Sequence, residues 1–364
     1  MTHTTPPSRD QLEARLHFPL GTSLPEPDRA LAVAPGVKWL RMGLPFALDH
    51  INLWLLRDEI DGRAGWTVVD TCIDRPEARA QWDEVIAQAL DGLPVLRVLA
   101  THMHPDHIGL AHWLVDRFSS DQHRCGFWIS ATDYYAARVA SQSTTGFGGE
   151  AAARFFAAHG LRDPQALDRI RERASYYPSL VPAVPPSYRR LVDGETVRIG
   201  GHTWTLIAGR GHSPEHMSLH CVALGVLISG DMLLPRISTN VSVYDIEPEA
   251  DPLAWFLNSV DRFAELPDST LVLPSHGRPF VGIAERLHQL HTHHEERLAE
   301  VRVACADTPR CAAEVLPVLF PRALDLHQTT FALGETVAHL HRLWFAGELQ
   351  RQRGADGVWR FGRG

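Results

Sequence analysis

The chain has almost no lysine: Lys38 is the only one in 364 residues, so arginine carries nearly all of the positive charge. That bias has no functional weight by itself, but the charge balance does. Lys and Arg total 35 against 43 Asp and Glu, a formal charge of −8, whereas grip on a phosphate backbone needs clustered cations. Arg169-Ile170-Arg171-Glu172-Arg173 is interleaved with an acid and Arg351-Gln352-Arg353 is short, so nucleic acid is not the expected partner. Cysteine is scarce too. Cys72, Cys125, Cys221, Cys305 and Cys311 are odd in number and form no CxxC pair, which argues against a thiolate zinc framework and suits a reducing compartment. No apolar run approaches the roughly 18 residues of a membrane span. The stretch Met1 to Asp10 lacks the basic-then-apolar form of a signal peptide, so a cytoplasmic location is expected.

What the chain does have is a dense ligand motif. His102-Met103-His104-Pro105-Asp106-His107 places three imidazoles and a carboxylate within six positions. It follows Val95 to Ala100, which predicts a buried strand, and precedes Ile108 to Val115, which predicts a helix. These ligands are therefore expected on the turn between the two, at the sheet edge where α/β proteins place their chemistry. Neutral imidazole and carboxylate suit zinc, iron or manganese, and crowding them without a cation costs desolvation and charge repulsion. Other predicted strands also end near candidate ligands. Trp66 to Val69 leads into Asp70, and Thr203 to Ala208 into a glycine-marked loop carrying Arg210, His212 and His216. Val222 to Ser229 ends in Gly230-Asp231, and Thr270 to Leu273 precedes His276.

This order of motifs resembles that of the metallo-β-lactamase-fold hydrolases: a strand-terminal Asp, HxHxDH, a His, an Asp and a last His. Asp70, His102/His104/Asp106/His107, His212, Asp231 and His276 meet it in sequence. The resemblance implies an α/β fold, an αβ/βα sandwich of two mixed sheets packed face to face with helices outside. It implies that His102, His104 and His212 hold one metal, that Asp106, His107 and His276 hold a second, and that Asp231 bridges them. Asp106 and Asp231 would be the catalytic carboxylates. Asp70 would accept a hydrogen bond from a ligand imidazole and fix its tautomer, while His216 supports the His212 loop. The implied cofactors are two divalent ions, zinc first, with iron or manganese compatible. Two such ions about 3.5–4 Å apart share a water and lower its pKa from about 15.7 toward about 7.

The length points to one large domain plus appendages: an extension over 1–34, the main domain over 35–290 with a helical insertion at about 133–188, and a module over 291–364. In the insertion, Asp133 to Gln142, Glu150 to His159 and Pro164 to Ser175 predict helices, and Tyr176 to Pro186 an extended stretch. Leu191-Val192 and Thr196 to Ile199 then read as a strand pair. The insertion's aromatics, among them Tyr134, Phe147, Phe155, Tyr176 and Tyr177, are candidates for a substrate wall or for packing and a homodimer contact. Arg210 is a candidate for binding a substrate carboxylate or phosphate, and Tyr244 for assisting an oxyanion. His288, His291, His293 and His294 read as a polar helix face. The last segment, two helices and a terminal strand, reads as a small winged-helix-like module, structural or dimerising in the absence of a basic recognition helix.

The Gly211-His212-Ser213-Pro214 loop and the HPDH form of the second motif look most like the glyoxalase II-like and related thioesterase or esterase branch. The expected function is attack of a metal-bound hydroxide on a small acyl substrate: a thioester, ester or lactone. The alternatives are an endoribonuclease or phosphodiesterase, since some relatives of that kind carry a C-terminal module, and an iron-dependent sulfur oxygenase.

Overall fold

The computed structural model describes residues 8–27, 29–143, 148–173 and 175–364. Two sheets face each other. The first has the order β1 (Leu31–Ala34), β2 (Val37–Gly43), β3 (His50–Ile60), β4 (Arg63–Val69), β5 (Val95–Leu99), β6 (Gly126–Ser130), β7 (Arg189–Leu191). It is antiparallel from β1 to β4 and parallel from β4 to β7. The second has the order β12 (Leu271–Pro274), β11 (Val226–Gly230), β10 (His216–Cys221), β9 (His202–Gly209), β8 (Thr196–Ile199). Only its β11–β12 pair is parallel.

The layers follow from which faces are apolar. Trp39, Trp54, Val69, Trp204, Leu219 and Ile228 fill the space between the sheets. Strand β5 is buried along its whole length, as a parallel strand covered on both faces must be. Its Arg97 is tolerated there because the guanidinium donates to Asp58 at 2.6 Å. Helices α2 (Pro76–Gln88), α4 (Ala111–Phe118), α5 (Ala131–Ala140) and α8 (Tyr176–Leu180) cover the first sheet through Trp82, Leu114, Ala137 and Leu180. On the second sheet's outer side, α9 (Pro252–Asp261), α10 (Ile283–Ala304), α11 (Ala312–Leu319) and α12 (Leu326–Phe345) share one core with α6 (Gly149–Ala158) and α7 (Pro164–Glu172). Helix α1 (Arg9–Glu13) and the hairpin β13 (Gln350–Arg353) and β14 (Trp359–Gly362) complete the chain.

Several expectations change. The predicted helix after β5 is two pieces, α3 (Pro105–Ile108) and α4, and Asp106 and His107 lie on α3 itself, because Pro105 supplies a preset φ at the first helical position. The run Val222 to Ser229 is half turn and half strand: Gly225, at φ +62°, closes a turn from β10 into β11. β7 and β8 do not pair; the chain crosses from one sheet to the other between them. Tyr176–Leu180 is helical rather than extended, and Pro178 fits because the first turn leaves its amides unbonded in any case. α10 continues unbroken through residue 290, so the main domain and the C-terminal region share a helix. α12 starts at Leu326 through an Asp325/Gln328 capping box. Phe147 lies outside the described residues.

The outer core holds imidazoles that are buried and neutral. His339 Nδ1 donates to the Glu335 carbonyl, leaving Nε2 to accept from His294 Nδ1 at 3.3 Å. His341 Nδ1 donates to the Ala250 carbonyl. Burial pulls His159 down to about 3, His294 to about 2, and His339 and His341 to about 4. Each folded-state value lies below the unfolded one, so the contribution to stability is complete above about pH 6.5 and is lost as pH falls through it, where only the unfolded chain takes up protons. Each proton contributes a slope of about 1.4 kcal/mol per pH unit. Urea unfolding should therefore show a plateau above pH 7 and a steep fall between pH 6.5 and 4.5; equal stability at pH 7.5 and 5 would contradict this account.

Candidate metal centre

The strand ends at one edge of the sandwich deliver the ligands. The segment after β5 carries His102 and His104, His104 caps α3, and Asp106 and His107 follow on it. His212 lies in the loop after β9, Asp231 directly after β11, and His276 just past β12. His102 Nε2, His104 Nδ1 and His212 Nε2 form a triangle with sides of 2.9, 3.0 and 3.2 Å. A tetrahedral ion bound at 2.0–2.1 Å holds its nitrogens about 3.3 Å apart, so this triangle fits one metal. Burial first, and then neighbouring imidazoles, hold His102 and His104 well below the usual histidine range, which keeps their lone pairs free.

A second group lies alongside. His107 Nε2 is 3.6 Å from an Asp106 oxygen and 3.6 Å from Asp231 Oδ1, and His276 Nε2 is 3.5 and 3.4 Å from the same two oxygens. His107 Nε2 and Asp231 Oδ1 are buried without a hydrogen-bond partner, a costly state that a cation between them relieves. Asp231 Oδ2 turns the other way, 3.2 Å from His212 Nε2. One carboxylate thus faces both groups. Burial alone would lower His107 and raise Asp231; instead the carboxylates of Asp70, Asp106 and Asp231 push His107 up, and the imidazoles of His276 and His107 hold Asp231 down.

Most of the candidate ligands are aimed by partners beneath them. Asp70, strained at φ +62°, accepts from His107 Nδ1 at 2.8 Å and from the Thr101 amide at 2.8 Å. His216 Nε2 accepts from the Asp231 amide. Asp70 stands where the motif order puts it, while His216, expected to support the His212 loop, holds the backbone of Asp231 instead. Sequence reasoning missed others. His212 Nδ1 donates to the Asn240 carbonyl at 2.8 Å and His276 Nδ1 to the His50 carbonyl at 2.7 Å, and Asn52 donates to the Pro274 and Gly277 carbonyls. The buried Asp133 carboxylate accepts from the Met103 amide at 2.9 Å and the Glu215 amide at 2.6 Å, tying the first ligand loop to the His212 loop. Burial raises it to about 6. Its one local signal is Ser130 three positions earlier, a helix N-cap pattern that hid the longer-range role.

Of the predicted substrate contacts, Tyr134 and Phe155 are taken up in packing, and Tyr177 and Tyr244 are turned onto the loops that hold the candidate ligands. The Tyr134 hydroxyl donates to the Pro185 carbonyl and its ring stacks on Tyr188. Phe155 is buried in the outer core against Phe156 and His159. Tyr177 donates to the Met103 carbonyl, so it braces the ligand loop. Tyr244 is half-buried, and its hydroxyl donates to Asn240 Oδ1 at 3.4 Å. Arg210 is exposed, and its amide donates to Ser259. In each case the residue was placed by nearness in sequence or by aromatic character, neither of which sets direction. His288, His291, His293 and His294 lie on α10, away from the ligand groups.

Replacing Asp133 by Ala frees two buried amides that hold opposite ligand loops, and the cost of each is about 1–3 kcal/mol. The Asp133→Ala protein should unfold at a lower temperature and bind its first metal about 10–100-fold more weakly, read by competition with a chromophoric chelator; unchanged affinity would show the loops to be held independently.

The comparisons agree with this geometry. Residues 48–276 match the model of the metallo-beta-lactamase superfamily, and residues 298–364 that of the metallo-beta-lactamase-like C-terminal domain. A beta-lactamase domain protein from Burkholderia ambifaria is 55% identical, with a TM-score of 0.91 over 97% of this chain and 99% of its own. A metallo-beta-lactamase family protein from Thermus thermophilus is 27% identical, with a TM-score of 0.71 over 92% of this chain and 100% of its own. The probable metallo-hydrolase YqjP of Bacillus subtilis is 25% identical over 311 residues, 83% of this chain and 90% of that protein. With its ligand groups in the family's order on the family's fold, the chain belongs to the metallo-beta-lactamase superfamily.

Proposed function

We propose that this metallo-hydrolase is dinuclear and acts on a small acyl substrate: a thioester, ester or lactone. The observation that carries the reading is Asp231, whose two oxygens face separate ligand groups and whose Oδ1 is buried without a partner. His102, His104 and His212 would hold one ion, Asp106, His107 and His276 the other, with zinc expected first. Two such ions supply an acidified water and polarise a carbonyl. The chain's own residues do the rest. Asp231 offsets repulsion between the cations, Asp70 and the Asn240 and His50 carbonyls hold imidazole tautomers, and Asp133 keeps the two ligand loops in register.

The HPDH motif and the Gly211-His212-Ser213-Pro214 loop support the acyl branch. The arginines of the terminal hairpin do not favour RNA. Arg351 pairs with Glu249 and lies over Trp344 and Trp359, and Arg360 pairs with Asp356. All five cysteines are buried thiols, which supports a cytoplasmic setting, and no helix among the described residues is long and apolar enough to cross a membrane.

Protein loaded with zinc should contain two equivalents and hydrolyse thioesters or lactones, losing activity to a chelator and regaining it on zinc addition. Asp231→Ala should lower turnover by about 10³-fold or more and remove at least one equivalent. Asp70→Asn should weaken metal affinity by about 10–100-fold. Elemental analysis with turnover assays on thioester, lactone and short RNA decides the matter; RNA cleavage alone would reject the acyl reading.

A further inference from the structure

Three elements that each brace a ligand loop also meet outside the metal centre. α8 packs on α3 and, through Tyr177, on the carbonyl of Met103. α12 docks on residues 240–243: the Val243 amide donates to the Gly334 carbonyl at 3.1 Å, Asn240 Nδ2 to Glu335 at 3.3 Å, and the Ser242 hydroxyl to the Phe331 carbonyl. Gly334 allows this approach, since a Cβ there would lie 3.0 Å from Ser242 Cβ. The third is the loop between β2 and β3, which ends at His50, the acceptor for His276. From these elements come Tyr176, His327 with Phe331, and Phe46. The His327 ring is 5.6 Å from Tyr176, 4.9 Å from Phe331 and 6.4 Å from Phe46, stacked on the last at 16°. All four are half-buried, unlike the core aromatics of the same helices.

A cation stands beside them. Arg173 donates to the Thr330 hydroxyl at 3.3 Å, between His327 and Phe331 on α12. It forms no ion pair with any described residue, although burial holds it below its ordinary value. Asp325 acts on it only from beyond ion-pair distance, and a half-desolvated guanidinium with no carboxylate in contact among the described residues is a ready partner for an anion. Tyr176 belongs to α8, which packs on α3, the helix that carries the candidate ligand Asp106.

We propose that Phe46, Tyr176, His327 and Phe331 wall the substrate pocket at the mouth of the metal centre and that Arg173 binds an anion there. The substrate then carries a flat apolar group next to a carboxylate or phosphate. This deepens the acyl-hydrolase reading and rests on it for the identity of the bond that is cleaved. The flat, anionic part belongs either to the acyl group or to a purine-phosphate leaving group, as in a coenzyme thioester. The C-terminal region becomes a specificity element, since α12 supplies half of the wall.

The test separates binding from hydrolysis. On metal-depleted protein, calorimetry measures phenylacetate, cyclohexylacetate, phenylacetamide and adenosine 3′,5′-bisphosphate. Either phenylacetate or the bisphosphate should bind about tenfold or more tightly than the two controls that lack the plane or the charge, and which one binds assigns the source. Arg173→Gln should abolish that preference, and Phe331→Ala should weaken both the favoured ligand and phenylacetamide. On zinc-loaded protein, Arg173→Gln should raise KM for the matching thioester about tenfold with kcat within about twofold, a split that a merely structural role would not give. Binding without turnover of any thioester would leave the pocket standing and reject the acyl reading. Turnover with no selectivity among the four probes, or with KM unmoved by Arg173→Gln, would overturn the pocket.

Discussion

The constraint on which the rest of the structure depends is the crowding of five imidazoles and two carboxylates at one edge of the sandwich. Nitrogens 2.9–3.2 Å apart and an orphaned buried carboxylate oxygen do not attract one another; left alone, the groups would move apart and hydrate. They stay because the backbone that carries them is bound at many buried points. Strand ends fix the Cα positions, Asp70, Thr101, Asn240 and His50 fix ring directions, and His216 holds the Asp231 amide. A centre of this kind is preorganised by the layer beneath it more than by the ligands themselves.

That layer reaches further than the two sheets. The outer helices are covered by their own core, continuous with the second sheet through Val272, Phe256 and Val337, and α12 returns from it to hold the loop that orients His212. The C-terminal region is therefore joined to the metal centre by hydrogen bonds as well as by packing. Its buried neutral imidazoles make the same region sensitive to acid, so loss of outer packing and loss of ligand geometry are linked.

The ligands were legible in the chain because metal chemistry needs particular residue types at particular spacings, and each followed an apolar run that reads as a strand. Strand β10 was not legible. Its residues His216–Cys221 carry two histidines and a serine, and only burial on both sides makes them a strand. The turn inside Val222 to Ser229 was hidden because Ala223 and Leu224 are apolar, and Gly225 alone marks the reversal. Tyr134, Phe155 and Tyr177 share aromatic character with Tyr176, yet they point into cores or at carbonyls, a difference set by helix phase and by what packs against each face.

The sequence by itself determined the fold class, through the order of its motifs and their resemblance to a known family, and that resemblance also supplied the candidate ligand set and the expectation of two cations, while residue chemistry and local periodicity placed the candidate ligands at strand ends. Only the tertiary structure decided which carboxylate faces both ligand groups, that Asp133, Asn240 and His50 hold the ligand loops, and that α12 docks on the loop that orients His212. Those relations join residues far apart in the chain, such as Asn240 and Glu335 or His50 and His276, and no local pattern encodes a hydrogen bond whose partners meet only after the sheets have packed.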